Sequence, residues 1–346
     1  MTTSTIIDPW AVSESGFPAD GRPADKLTYA LNYAVLAPSG HNTQPWLFQV
    51  KKDQVDLFAD PTQALPVVDP NDRELIISCG AALFNLRAAL RYFGYTADAS
   101  ILPDAKRVDL LARVKLGHSH KATAEEVALF QAITKRRTNR SAYENRPLPE
   151  ALLEELKMAA TQEGAWLEVV ENEDIRNATA DLIAEGDRIQ WSDAQFRREL
   201  ASWTHPNRNL RRDGIPGYAM GVADTAAYAG PLIIRTFDLG NGQAAKDRDL
   251  ALGSPALVVL GTDKDDAAAW LATGQALQRI LLRARASSVW ASYLNQPIEV
   301  PELRPRFARV VGHVGHPQLC LRLGYGPDVR PTPRRHVSDV VIESWG

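Results

Sequence analysis

The sequence predicts an α+β fold made of two tandem, diverged copies of one α+β unit, on three observations. Segments with helical spacing alternate with short strand-like runs along the whole chain. Gly80-Ala81-Ala82-Leu83 with Leu86 matches Gly274-Gln275-Ala276-Leu277 with Ile280, each on a long apolar stretch free of Pro. Trp46-Leu47 with Val50 likewise matches Trp166-Leu167 with Val170, each inside a strand-like run. Self-similarity of this kind marks a duplicated unit. The division that follows is an N-terminal arm over 1–25, a first copy over 26–120 and a second over 121–346.

Taken in order, residues 8–25 are rich in Pro, Gly and acidic side chains and read as an extended arm. The spacing of Leu27, Ala30, Leu31, Ala34 and Val35 predicts a helix over 27–36. Runs 46–50 and 55–59 read as a hairpin. A capped start over 69–73 leads into a central buried helix over 74–94, where Gly80, Ala81, Ala82, Ala88 and Ala89 permit close packing. A closing strand over 108–116 places Val108, Leu110, Ala112, Val114 and Leu116 on one face. The second cycle runs through a helix over 124–133, a basic segment over 135–140, a helix over 149–160 and a strand over 166–170. A strand over 256–261, a helix over 266–287 and a last strand over 318–324 complete it, followed by a basic tail.

With 346 residues, 45% apolar and 23% charged, the chain has the composition of a soluble globular protein. A formal charge of −3 gives no global reason to expect nucleic acid or a membrane as partner. The apolar runs, such as 256–260, read as too short for a bilayer. Cys79 and Cys320 are far apart, lie among apolar residues and read as buried thiols of a reducing compartment. Met1-Thr2-Thr3-Ser4-Thr5 has no basic region and no apolar run after it, so no signal peptide is expected and a cytoplasmic location follows.

The chemistry centres on Ala37-Pro38-Ser39-Gly40-His41-Asn42-Thr43-Gln44-Pro45-Trp46-Leu47-Phe48. Pro38 and Pro45 each remove an N–H and fix φ, while Gly40 allows backbone conformations a side chain would forbid. A stiff polar turn of this kind offers N–H groups and short side chains to a planar heterocycle. The AxSGxNxQPWxF pattern closely resembles the flavin-contacting loop of the nitroreductase family. The basic segment Arg136-Arg137-Thr138-Asn139-Arg140 resembles that family's RRSxR-like segment.

The resemblance implies FMN as cofactor. It assigns Pro38, Ser39, Gly40 and Asn42 to the isoalloxazine and ribityl chain, with Gln44 either on the flavin or bracing the loop. It assigns Arg136, in the segment shared with Arg137, to the phosphate, and Thr138 to the ribityl or phosphate. Arg140 would lie near the ring's N1 and C2 carbonyl. Arg334 and Arg335 of the tail supply further phosphate cations, and backbone groups of 288–293, including Ala291 and Ser292, face the dimethylbenzene side and N5. In the family two identical subunits pair, one giving the basic segment and the other the loop to each flavin. Here each copy keeps only one half, which predicts an intrachain pseudo-dimer of nitroreductase-like fold with one flavin site. The whole is a monomer or pairs further as a homodimer.

Residues 191–225 have no counterpart in the first copy. The pieces FRxELxxW and DGIPG resemble those of the Acg-like single-chain branch, in which this insert lies over the flavin as a lid. The alternative is a surface excursion covering an apolar seam. Trp203, Tyr218 and the loop's His41 are the candidate substrate and lid contacts, His41 as a non-titrating side chain. The lid arginines are candidates for the 2′-phosphate of NADPH. The resemblance implies NAD(P)H-driven, ping-pong reduction of a nitroaromatic or quinone-like acceptor, with no side-chain nucleophile. A lid that stays shut would instead make an FMN-sequestering protein. His118, His120, His313 and His316 lack a Cys or carboxylate at ligand spacing, so no metal is expected.

Overall fold

The computed structural model describes residues 8–343. The first five residues, on which the signal-peptide expectation rests, and the start of the arm lie outside the described residues. In the first unit α1 (Pro23–Ala34) opens on Pro23, whose missing N–H would have no helical partner anyway. It buries Leu27, Ala30, Leu31, Tyr33 and Ala34. β1 (Trp46–Lys51) and β2 (Gln54–Ala59) form the expected hairpin, in register Trp46 opposite Ala59. Then come α2 (Arg73–Tyr92), β3 (Tyr95–Ile101) and β4 (Leu110–Ser119). The four strands pair antiparallel in the order β1-β2-β4-β3.

The second unit holds α3 (Ala124–Ile133), α4 (Glu150–Gln162), β5 (Trp166–Val169), α5 (Glu173–Ser192) and α6 (Ala194–Trp203). Two short parallel strands, β6 (Thr204–His205) and β7 (Ile215–Pro216), lead to α7 (Asp224–Ala227), α8 (Gly230–Thr236) and α9 (Gly240–Leu252). β8 (Ala256–Thr262), α10 (Ala267–Ala286), β9 (Trp290–Tyr293), α11 (Gln296–Glu299), α12 (Arg304–Val311), β10 (His316–Gly324) and α13 (Val337–Val340) complete it. Its sheet is also antiparallel, ordered β5-β8-β10-β9. The matched tryptophans Trp46 and Trp166 each open an edge strand.

Several expectations need correction. The sequence reading missed β3, a polar edge strand in which only Ala97 is buried. Val108 lies outside β4 and is 86% exposed, so the shared face begins at Leu110. Residues 290–293, read as part of a turn, pair with β10 as strand β9. Helices α5, α8 and α9 were not anticipated. The apolar stretch that does match a membrane span by length and composition is α2, and 83% of that stretch is buried within the protein.

The packing explains these patterns. α2 and α10 cross between the sheets, with Leu271 and Leu282 of α10 in the first core and Ile77 of α2 in the second. Residues of α3 and Val340 of α13 also pack in the first core, so packing crosses the 120/121 boundary. The second sheet is covered on both faces. Val258, Leu260 and Leu321 face α10 and α4, while Leu257, Val259 and Cys320 face α5, α11 and α12. A strand buried on both sides reads as an unbroken apolar run, as β8 does. Cys79 and Cys320 are buried and unpaired.

Candidate functional site

Two adjoining cavities, about 320 and about 610 Å³, lie where the 38–42 turn meets the basic segment. Pro38, Ser39, Thr138, Arg140, Ile215 and Met220 line both. The turn is rigid. Ser39 Oγ accepts from Gln44 N at 2.9 Å, Gly40 N donates to Ser78 Oγ at 3.4 Å, and a 3₁₀ turn spans Gly40–Asn42. Positive φ falls on His41 (46°), Asn42 (57°) and Gln44 (55°) rather than on Gly40. Three non-glycine residues held there store backbone strain, which concentrates at functional sites. His41 lines the smaller cavity, and burial together with Arg140 pushes its pKa down to about 4, so it is neutral at pH 7.

Thr138 bridges to Ala291 and Asn139 N donates to the Ala291 carbonyl at 3.1 Å, so the basic segment is docked beside β9. Arg322 holds its far end, donating to Ser141 O at 2.9 Å and Asn139 O at 3.3 Å. Arg136, Arg137, Arg140, Arg330 and Arg334 converge on the larger cavity. Arg136 is 3% exposed and Arg334 4% exposed. Arg334 Nη1 donates to Asn42 Oδ1 at 2.8 Å, tying tail to turn. Among the described residues none of Arg136, Arg137, Arg140 or Arg334 forms an ion pair, and Nε of Arg136 and of Arg334 has no acceptor. Burial and mutual repulsion lower the pKa of Arg137 and Arg334. Arg140 reaches solvent and Arg137 is half-buried, but buried, unpaired cations such as Arg136 and Arg334 are costly unless an anion joins them. Trp10 of the arm, missed from the sequence, stacks on Arg137 at 3.7 Å and lies 5.1 Å from Arg334.

The smaller cavity gathers carboxyls beside Arg140, Lys246 and Arg322. Glu74, Asp187, Asp247 and Glu299 line it, together with Ser292, Tyr293 and Asn295. None of these carboxyls was singled out beforehand. Residues 191–225 close over the turn: Gly214 N donates to Asn42 O at 3.1 Å, Asn42 Nδ2 to Gly214 O at 2.9 Å and Gln44 Nε2 to Arg212 O at 2.7 Å. Trp191, Phe196 and Leu200 contribute apolar wall.

Of the residues expected at the site, Pro38, Ser39, Gly40, His41, Asn42, Arg136, Arg137, Thr138, Arg140, Ser292, Tyr218 and Arg334 line a cavity. Gln44, 0% exposed, braces the turn and accepts from Arg335 N at 2.8 Å. Arg335 lines neither cavity; it lies 3.5 Å from Asp60 and donates to Gln44 O. Ala291 contributes its carbonyl to Asn139 and lines neither cavity. Trp203 packs into the apolar cluster of Leu65, Phe196 and Leu200 instead. Of the lid arginines, Arg211 pairs with Asp213 and Arg197 donates to Trp191 O, and none lines a cavity. Among the described residues no three His, Cys, Asp or Glu side chains are grouped to hold a metal.

Two antiparallel sheets around crossed helices, with a cavity cationic at one end and rigid at its junction, define an α+β binder of an extended anionic ligand. The chain belongs to the nitroreductase family. It is 33% identical over 329 residues to "Putative NAD(P)H nitroreductase Rv3131" of Mycobacterium tuberculosis, covering 92% of this chain and 91% of that one. It is 26% identical to "Putative NAD(P)H nitroreductase acg" of the same organism, over 91% of this chain and 95% of the other. Among solved structures, the FMN and NADPH-dependent nitroreductase NfnB from sphigopyxis sp. strain HMH is 18% identical. It overlaps 63% of this chain and 99% of its own, with a TM-score of 0.42. No family model matches the sequence.

Proposed function

We propose that the protein is an FMN-dependent oxidoreductase of the nitroreductase type, taking electrons from NAD(P)H and passing them to a nitroaromatic or quinone-like acceptor. One observation carries this reading: buried arginines without carboxylate partners surround a cavity that opens onto the strained 38–42 turn. The fit is chemical. A dianionic phosphate would neutralise Arg136, Arg137 and Arg334, whose planar forks suit its oxygens. Thr138 offers a hydrogen bond to a ribityl chain, Asn42 holds Arg334 in place beside it, and Pro38, Ser39 and Gly40 offer a narrow wall to a ring. Arg140 would set the charge near the ring.

Bound FMN would supply the electron transfer, in two half-reactions that use the site in turn. The protein's part is positioning and exclusion of water. His41, neutral, adds no charge, while Trp191, Phe196 and Leu200 keep the far wall dry.

In this reading residues 26–120 and 121–346 are diverged copies forming an intrachain pseudo-dimer, 1–25 is an arm, and 191–225 is the lid. The buried free thiols suit the cytoplasm. A second reading, an FMN-sequestering protein, is favoured by the hydrogen bonds from Gly214 N to Asn42 O and from Gln44 Nε2 to Arg212 O, which would hold a lid shut. Anaerobic mixing of the yellow protein with NADPH and then NADH separates the two. Bleaching of the visible flavin band by either nicotinamide supports the reductase. Bleaching only by dithionite supports sequestration. Protein that stays colourless after incubation with FMN would end both.

A further inference from the structure

The smaller cavity gathers four carboxyls from four helices: Glu74 of α2, Asp187 of α5, Asp247 of α9 and Glu299 of α11. Among the described residues only Glu74 has an ion-pair partner, Arg73 at 2.9 Å. The others are met by neutral amides. Gln190 Nε2 donates to Glu299 Oε2 at 2.7 Å, Gln243 Nε2 to Asp247 Oδ2 at 2.9 Å, and Gln296 Nε2 to both Asp187 Oδ1 at 3.1 Å and Asp247 Oδ2 at 2.9 Å. Asp187 is only 2% exposed, yet its Oδ2 receives no donor, and Gln296 Oε1 on the same wall is also open. Open acceptors are expensive when buried, and native proteins leave few of them. Both of these border the cavity. In the empty site a proton held between Asp187 and Asp247 answers Oδ2, and a bound donor takes that proton's place.

We propose that the smaller cavity is a receptor for a compact cation, a primary ammonium or guanidinium carried by the small molecule that meets the cofactor. Asp187 is its principal contact, with Asp247 and Glu299 beside it. The flavin ring, walled by Pro38, Ser39 and Gly40, would share this cavity of about 320 Å³, so the space left beside Asp187 admits only a compact ligand. Arg140, Lys246 and Arg322 also border it but pair with none of the carboxyls, and neighbouring His41 and Tyr293 carry no charge at pH 7. Burial, and for Asp187 the adjacent Asp247, raise all four carboxyl pKa values. Glu299 and Asp69 add to this at Glu74, and Asp69 and Asp187 at Glu299, while Arg73 opposes it at both, Arg188 at Asp187, and Lys246 and Arg322 at Asp247. Empty, the wall therefore holds protons, and a bound cation replaces them. Cation binding should release protons and strengthen as the pH rises.

The test uses the oxidised holoprotein without nicotinamide, titrated calorimetrically with 4-nitrobenzylammonium, 4-nitrobenzyl alcohol and 4-nitrobenzoate. The ammonium is expected to bind about tenfold tighter than the alcohol, and the benzoate weakest. Repeating it in two buffers of different ionisation enthalpy should give net proton release with the ammonium alone. Asp187→Asn is expected to lower ammonium affinity about tenfold and leave alcohol binding unchanged. Glu299→Gln, on the same wall, serves if the first variant does not fold. Equal affinities, no binding by any probe, or full ammonium preference in the variants would overturn the proposal. It rests on the flavin reading only for the acceptor's identity. Loss of visible flavin absorbance with the ammonium preference intact would sink that reading and leave this one standing.

Discussion

Gly80 of α2 and Gly274 of α10 touch backbone to backbone at the crossing of the two central helices. A Cβ built on Gly274 would stand 1.9 Å from the Ile77 carbonyl oxygen and 2.7 Å from Gly80 Cα. One built on Gly80 would stand 2.3 Å from the Leu271 carbonyl oxygen. The two glycines matched in the sequence are thus each other's neighbours. Around them Gln278 Nε2 donates to Asn85 Oδ1 at 2.7 Å, locking the crossing angle.

Because the obstruction at that crossing is backbone, no side-chain rotation relieves it. Gly274→Ala should destabilise the fold by about 3 kcal/mol. Gly80→Ala should cost somewhat less, since its contact is longer. Urea midpoints of the flavin-free protein measure both, and midpoints within error of the parent would show that the helices separate freely.

Arg136 should have opposite effects with and without cofactor. Its guanidinium is buried with an unanswered Nε and no carboxylate partner. Arg136→Met keeps the volume and removes the charge, so the flavin-free protein should gain roughly 1 kcal/mol. FMN affinity should fall by about 1.5–3 kcal/mol through loss of a charge-assisted contact. Thermal midpoints of the flavin-free forms and FMN titrations test the two signs. Unchanged FMN affinity would remove Arg136 from the site.

The proposed lid has a second anchor away from the turn. The Glu199 carboxylate accepts Val67 N at 2.9 Å and Val68 N at 3.0 Å. Glu199→Ala should release about 1.5–3 kcal/mol of that attachment. Hydrogen exchange at Val67, Val68 and along α6 should speed up. If the lid gates access, anaerobic bleaching by NADPH should accelerate as well. Faster exchange with unaltered bleaching would separate the anchor from gating.

The acidic wall predicts a pH dependence of stability. An unfolded Asp or Glu releases its proton near pH 4, whereas Asp187, Asp247, Glu74 and Glu299 keep theirs to higher pH in the fold. Between those limits the native state binds more protons than the unfolded one, so stability falls as pH rises. The slope is up to about 1.4 kcal/mol per pH unit for each proton held. Asp187→Asn should flatten the decline. His41 acts in the opposite sense, its lowered pKa removing stability as pH falls below about 6.5. Denaturant midpoints at spaced pH values would read both limbs.

What was legible in the sequence was what local chemistry specifies. The hairpin from Trp46, the apolar β8 and the Arg136–Arg140 segment announce themselves through periodicity or clustered charge. The acidic wall did not, because Asp187, Asp247 and Glu299 sit on three separate helices, each among other polar residues, where an acid looks like a solvated surface residue. Only the close packing of α5 on α9 and α11 turns them inward. Trp10 was hidden for a similar reason, since nothing near it in sequence hints at arginines more than a hundred residues away. Arg334 and Arg335 are adjacent on an extended tail whose side chains alternate, so one reaches Asn42 and the cavity while the other turns to Asp60. Sequence alone could not say which.

Those asymmetries also predict one flavin per chain. In the first unit the chain between α1 and β1 spans 35–45 and carries the strained turn. In the second the corresponding connection, between α4 and β5, is only 163–165. Its Glu163 bridges Arg87 of α2 at 2.7 Å and Arg279 of α10 at 3.1 Å, with Arg87 also donating to Gln275 at 2.6 Å. Those two cations are already neutralised, so they hold no charge in reserve for a phosphate. Before α1, Arg22 pairs with Asp25 at 2.9 Å in solvent, and no counterpart of Arg136 stands there. FMN titration of the flavin-free chain should therefore saturate at about one equivalent. A second equivalent bound with comparable affinity would mean that the halves kept two working sites, and that the loss of loop and arginines was not complementary.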